Sequence, residues 1–267
     1  MNLIIGRKPV LEAINSGEEI DQVYILYGQK GGIIEAIRIA AKKKGIKCNQ
    51  VPLERFRSIT NSPNAQGVAA KKSEQKFFSL DEIIKFSQTK RRKLQKALSL
   101  GEGLSEGLLS EGEAFPLLLI LDSIQDTHNV GAIIRTAECS GVDGIILTKH
   151  NSAPINETVA KTSAGATEYI KLCQVTNLAQ TLKQLKEEGF WVIGSSLSGN
   201  SKVYTEADYK IPLALVLGNE EKGIRRLTAD SCDLLIKIPI TGRIQSLNVS
   251  VSAGIILFEI LRKRSLP

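Results

Sequence analysis

Three polar clusters hold the residue types in this chain that could do chemistry. The first, residues 122–135, reads Asp-Ser-Ile-Gln-Asp-Thr-His-Asn-Val-Gly-Ala-Ile-Ile-Arg and ends at Arg135, six positions after Asn129. A guanidinium placed there, beside Ile133, Ile134 and Ala137, either snorkels to the surface or is held toward a phosphate. Asp126, Thr127 or Asn129 can cap the helix that follows, and Gly131 lets its first turn approach a ligand closely. The second cluster, Gly218-Asn219-Glu220-Glu221-Lys222-Gly223, sets carboxylates in a turn between two glycines. Its backbone amides are free for a ligand, while capping by Asn219 or Glu220 accounts for the same residues. The third runs from Ile238 to Ser252 through Ser246-Leu247-Asn248-Val249-Ser250, where Ser246 and Asn248 are either helix caps or site groups.

Each cluster bears on the strands before it. Residues 117–121, 144–148, 190–195, 213–217 and 234–238 are short apolar runs, and 130–140, 157–166, 178–188 and 249–263 have helical spacing. This alternation predicts a mainly parallel sheet covered by helices. In such sheets ligands bind at the carboxyl ends of strands, where all three clusters stand. The last helix carries Ser252, Ala253 and Gly254 for close approach and Val249, Ile256, Leu257, Ile260 and Leu261 as apolar surface. It forms either a dimer seam, the reading favoured here, or an intramolecular core.

Residues before 80 read as a smaller α/β unit, with strands at 23–27, 47–51 and 68–71 and a helix at 33–44 ending in Lys42, Lys43, Lys44 and Gly45. A helix follows at 80–86. Then come a basic run (Lys90, Arg91, Arg92, Lys93, Lys96) and a Gly/Glu/Leu/Ser tract at 101–113. Such low complexity predicts a flexible linker. The expected division is a small domain at 1–85, a linker at 86–114 and a larger domain at 115–267 that carries the three clusters. The basic run is either an RNA contact or the solvated end of a helix.

Among the 267 residues, 35 Lys and Arg against 28 Asp and Glu leave a net charge of +7, which suits a nucleic-acid partner or simply a soluble basic protein. Four cysteines without a C-x-x-C pair and only two histidines predict reduced thiols, no metal site and a cytoplasmic setting. No secretory or membrane-spanning segment is expected. Walker, G-x-G-x-x-G, H-E-x-x-H and G-x-S-x-G motifs are missing, which removes the common nucleotide, dehydrogenase, zinc-protease and hydrolase readings.

Taken together, Asn129/Gly131/Arg135, Gly218-Asn219-Glu220 and Ser246-Leu247-Asn248-Val249-Ser250 resemble the three ordered motifs of the TrmH (SpoU) family of RNA ribose 2′-O-methyltransferases, of the SPOUT class. Residues 4–13 and Gln66-Gly67-Val68 are similar to the small substrate-binding domain of its RlmB-like subgroup. Lys8, Ala65 and Glu221 depart from the usual pattern. The resemblance implies an α/β fold with a C-terminal trefoil-knotted parallel-sheet domain and a small N-terminal L30e-like domain. It implies an obligate homodimer with S-adenosylmethionine as cofactor, held by Gly218, Ile238 and Leu247. It also implies Arg135, Asn129, Glu220, Ser246 and Asn248 as catalytic residues, and RNA as substrate. A guanosine of 23S rRNA is the expected target. The alternatives are a tRNA ribose methyltransferase and a non-catalytic RNA-binding protein.

Overall fold

The computed structural model describes residues 3–18, 20–72, 76–99, 115–244 and 246–265, with side chains described in the helix after residue 79 through residue 89. The chain divides after Gln75 into two units.

The N-terminal unit runs β1 (Leu3–Ile5), α1 (Arg7–Ser16), β2 (Ile20–Leu26), α2 (Gly32–Lys43), β3 (Lys47–Val51), α3 (Leu53–Ile59) and β4 (Val68–Lys72). The sheet order is β1-β4-β2-β3, with β4 antiparallel to β1 and β2, and β3 parallel to β2 at one edge. The two-residue period of β2 sorts its side chains. Val23 and Ile25 join Val10, Ile14, Ile34 and Ile37 of α1 and α2, while Tyr24 and Leu26 pack on Val51, Phe56 and Ala65 across the sheet. Ala65, one of the departures from the family pattern, is thus a core residue, whereas Lys8 is exposed. Gly6 at φ +99° starts α1 in a conformation that favours glycine, and Arg7 donates to the Gln66 carbonyl at 3.1 Å and to the Gln29 side chain. The two segments resembling the family's substrate-binding domain are therefore joined by Arg7.

The second unit begins with α4 (Leu80–Ser99) and continues through β5 (Leu117–Asp122), α5 (Thr127–Cys139), β6 (Gly144–Thr148), α6 (Glu157–Thr162), β7 (Lys171–Val175) and α7 (Leu178–Glu187). After these come β8 (Trp191–Ser195), β9 (Lys202–Val203), β10 (Leu213–Gly218), α8 (Arg226–Asp230), β11 (Leu234–Lys237) and α9 (Val249–Ser265). The seven strands lie in the order β7-β6-β5-β10-β8-β11-β9, and the pairings are parallel. Strand β5 shows why the apolar runs are continuous. Leu117, Leu119 and Leu121 face α5 and α9, while Leu118 and Ile120 face α4 and α7. Strand β10 divides the same way, with Leu213, Leu215 and Leu217 on one side and Ala214 and Val216 on the other.

Four expectations are corrected here. The helix placed at 80–86 extends to Ser99, and Ile83 and Ile84 are buried with Leu118, Ile120 and Ile146, so this segment belongs to the second unit rather than to a domain ending at 85. Residues 86–99 are accordingly helix and not linker; the 101–113 tract and the side chains of the basic run lie outside the described residues. Gly131 serves helix packing rather than ligand approach: a Cβ there would lie 2.6 Å from the Thr162 Cβ and 3.0 Å from the Val159 carbonyl oxygen of α6. Finally, Val249, Ala253, Ile256, Leu257 and Ile260 are buried in the core against α5, so the apolar bulk of α9 is intramolecular. Its exposed apolar stripe is Val251 and Phe258, with half-buried Ile255 between them.

The basic end of α9 is structural. Arg264 is buried and donates to the carbonyls of Phe115, Tyr209 and Ile211 at 2.8–2.9 Å, which offsets the cost of burying a guanidinium. Burial still pushes its pKa down to about 10.

Removing residues 1–75 should leave the second unit folded. Removing 1–85 should cost it about 3–6 kcal/mol through the loss of two buried isoleucines. Urea unfolding of the two truncations would check this; equal midpoints would place Ile83 and Ile84 outside the core.

Candidate functional site

The central strands fix where the three clusters meet. Chain order reverses around β5 and β10: β6 and β7 extend the sheet on one side, β8, β11 and β9 on the other. Gly218 pairs with Asp122 at the carboxyl ends of these two strands. A crevice opens at such a switch point.

Asp122 organises the floor. Its carboxylate is 0% exposed, yet Arg225 Nε stands 2.7 Å from one oxygen, the Arg225 N–H donates to the other at 3.3 Å, and Ser123 Oγ donates at 3.1 Å. A buried charge is tolerable only when so fully paired. Ser123 sits at φ +63°, strained for a residue with a side chain, and this turns its carbonyl to accept from Asn219 Nδ2 at 3.0 Å. Asn219 Oδ1 accepts from the N–H groups of Glu221 and Lys222, so it closes the 219–223 turn. It caps no helix, contrary to one of the sequence readings. Asn219 and Gly223 also exchange two backbone hydrogen bonds at 3.0 and 2.9 Å. The turn folds back so tightly that a Cβ on Gly218 would lie 2.1 Å from the backbone of Gly223 and Ile224. No other residue fits at 218.

A chain of side-chain amides then ties the clusters together. Asn248 Oδ1 accepts from the Ser250 N–H at 2.8 Å and so caps α9. That bond fixes the orientation of the amide, whose Nδ2 donates to Asn129 Oδ1 at 3.0 Å. Asn129 is fixed in turn, and its Nδ2 donates to Glu220 Oε1 at 3.1 Å. Glu220 Oε2 accepts from Asn219 Nδ2 at 3.2 Å. Asp126 supplies the cap of α5, accepting from the N–H groups of His128 and Asn129, which leaves the Asn129 side chain free for this role.

Beside this network lies a cavity of about 320 Å³. Leu217, Ile224, Ile238, Ile240 and Leu247 give it apolar walls; Gly218, Glu220 and Ser246 add polar and backbone groups. The structure thus gathers Gly218, Ile238, Leu247, Glu220 and Ser246 around one space and links Asn129 and Asn248 to it through Glu220. Arg135 is not brought in: it is exposed on α5 and makes no hydrogen bond or ion pair among the described residues. Glu221 is exposed at the cavity rim. The sequence reading assigned no site role to Asn219, Asp122, Arg225 or the 195–198 loop, which also lines the cavity. A carboxylate closing an otherwise apolar strand was the available signal for Asp122.

Two of the thiols, Cys173 and Cys232, are not poised as nucleophiles. Burial raises Cys173 to about 11 and Cys232 to about 12, so neither is a thiolate near neutral pH. Among the described residues no group of three or more His, Cys, Asp or Glu could hold a metal ion, and no helix is long and apolar enough to cross a membrane.

The sequence matches the model of the SpoU rRNA Methylase family over residues 116–258 and that of the RNA 2′-O ribose methyltransferase substrate-binding domain over 3–78. It is 38% identical over 262 residues to a candidate TrmH family tRNA/rRNA methyltransferase of Staphylococcus haemolyticus, covering 98% of this chain and 96% of that protein. Its fold is similar to that of an AdoMet-bound rRNA methyltransferase from Sinorhizobium meliloti (TM-score 0.61, 26% identity, 97% of this chain and 86% of the other). A TrmH/SpoU tRNA modifying enzyme from A. aeolicus is 33% identical with a TM-score of 0.53, over 64% of this chain and 84% of its own. The parallel sheet, the cavity at its switch point and these likenesses define an RNA methyltransferase. The chain belongs to the SpoU (TrmH) family, and its cofactor is S-adenosylmethionine. The cavity fits that group: the apolar walls suit the adenine, and Glu220 and Ser246 in the lining add polar groups for its polar edges.

Replacing Asn129 with Ala removes two hydrogen bonds and leaves Glu220 and Asn248 each one short. At about 0.5–1.5 kcal/mol per bond, cofactor affinity should fall roughly tenfold while the fold persists. Calorimetric titration of the variant would check this; an unchanged affinity would show that the network does not position the cavity.

Proposed function

We propose that this protein transfers the methyl group of S-adenosylmethionine to a ribose 2′-hydroxyl of RNA, and that a guanosine of 23S rRNA is the target. The observation that carries the reading is the Asn248–Asn129–Glu220–Asn219 network, which draws all three sequence clusters to one cavity. A pure RNA binder has no use for it. The cofactor supplies an activated methyl on a sulfonium. Gly218, Ile238 and Leu247 hold it through backbone and apolar contact, and Glu220, Asn129, Asn248 and Ser246 fix the cavity wall where the ribose enters. Arg135, unclaimed among the described residues, orients the ribose or its phosphate; a guanidinium only donates, so this role suits it better than taking the hydroxyl proton. Holding the two reactants in line is the main gain.

The 23S rRNA target is supported by the N-terminal unit, which matches the substrate-binding model, and by the whole-chain likeness to an rRNA methyltransferase. The tRNA alternative has its support in the shorter A. aeolicus relative. The exposed Val251–Phe258 stripe supports a homodimer. We take the path through the 218–223 and 238–248 loops, which converge on one cavity, to be the family's trefoil knot. Four free cysteines suit a cytoplasmic enzyme. Mass spectrometry of rRNA and tRNA from a strain lacking the protein tests the substrate: a missing 2′-O-methylguanosine in 23S rRNA is expected, and loss from tRNA alone would reassign it.

A further inference from the structure

We propose that a basic cavity on the edge strand of the N-terminal unit, lined by Arg38, Arg55, Asn49 and Gln50, holds a phosphodiester and the adjoining nucleotide of the RNA substrate. The cavity measures about 460 Å³ and is completed by Cys48 and Val51. Two guanidinium groups line it and no carboxylate does. Neither Arg38 nor Arg55 makes an ion pair among the described residues, and Arg38 Nε is buried with no hydrogen-bond partner. A buried donor left unpaired is costly, so an acceptor that reaches it from this cavity is favoured. Arginine matches a phosphate with a planar fork of donors. Asn49 and Gln50 each offer both a donor and an acceptor, the chemistry that reads a base edge or a 2′-hydroxyl. Among the described residues β3 pairs only with β2, so its outer backbone edge faces no other described strand. The Cys48 thiol is kept neutral by burial, with Arg38 opposing that effect, so the cavity's positive charge is not cancelled by a thiolate. The sequence reading passed over all of these residues because they sit singly on α2, β3 and α3 rather than in a motif.

This inference rests on the proposed action on RNA and adds where that RNA is gripped. The test is binding of an unmodified 23S rRNA transcript by R38A/R55A and by wild type between about 50 and 200 mM salt. Losing two phosphate contacts should weaken binding tenfold or more and lower the salt slope by about 1.4, at about 0.7 per contact on single strands. S-adenosylmethionine affinity and kcat should hold, with KM for RNA raised. Arg55 is exposed, so R55A alone keeps the fold and should lower the slope by about 0.7. R38K/R55K should restore most of the slope. Unchanged affinity and slope in R55A and in R38A/R55A would overturn the inference, as would displacement of the RNA by inorganic phosphate at matched ionic strength, which would mark a free-phosphate site. If wild type neither binds nor methylates RNA, the functional proposal itself fails; if it does both and the variants match it, only the cavity's role fails.

Discussion

The Arg135→Ala protein should fold and bind S-adenosylmethionine as the wild type does, and transfer methyl groups about 10²–10³-fold more slowly. Arg135 is exposed and bonded to nothing in its own chain among the described residues, so its loss leaves no orphaned partner, and surface changes of this kind usually stay within about 0.5 kcal/mol of stability. It does not line the cavity, so cofactor affinity has no reason to change. What is lost is a charged group free to hold the ribose or its phosphate in line with the methyl. A tritiated-methyl assay run beside calorimetric cofactor binding separates the two effects. Near-normal turnover would remove Arg135 from the site.

Phe258→Asp should convert a dimer into a monomer and take activity with it. Val251 and Phe258 lie two helical turns apart on one stripe of α9, and each is 50% exposed. The opposite stripe, with Val249, Ala253, Ile256, Leu257 and Ile260, is already committed to the core. A charge at Ala253 would therefore unfold the unit, whereas one at Phe258 acts on the surface and separates assembly from folding. At an apolar interface the new carboxylate would be desolvated without a partner, a cost of several kcal/mol. Light scattering on wild type and variant, with methylation followed over a range of protein concentrations, decides it. A wild-type monomer with full activity would refute the requirement for a dimer.

Much of this was legible in the sequence because the parallel sheet is buried on both faces. Continuous apolar runs such as 117–121 and 213–217 are strand length and carry no polar residue to face solvent, and both are central strands. Strands of mixed composition were less legible: Lys171–Val175 and Lys202–Val203 lie at the two sheet edges, where side chains meet solvent and the apolar signal fades. The site was visible as three motifs, but not how they connect. That Asn248 caps α9 with its oxygen and therefore presents its nitrogen to Asn129 depends on elements more than a hundred residues apart in sequence. Gly131 is a related case. Its lack of a side chain answers to α6, which no local pattern announces. The helix at 80–99 reads as shorter from sequence because its second half is basic and polar, while the two isoleucines that seat it on the sheet lie near its start.

The most direct test of the central claim is to follow a labelled methyl group. The purified protein is incubated with methyl-deuterated S-adenosylmethionine and with rRNA and tRNA from a strain lacking it. The RNA is then digested to nucleosides and analysed by mass spectrometry. The account predicts label on the ribose of a 2′-O-methylguanosine from 23S rRNA with the wild type, and none with the Arg135→Ala protein. Label on a base, or equal labelling by both proteins, would contradict it.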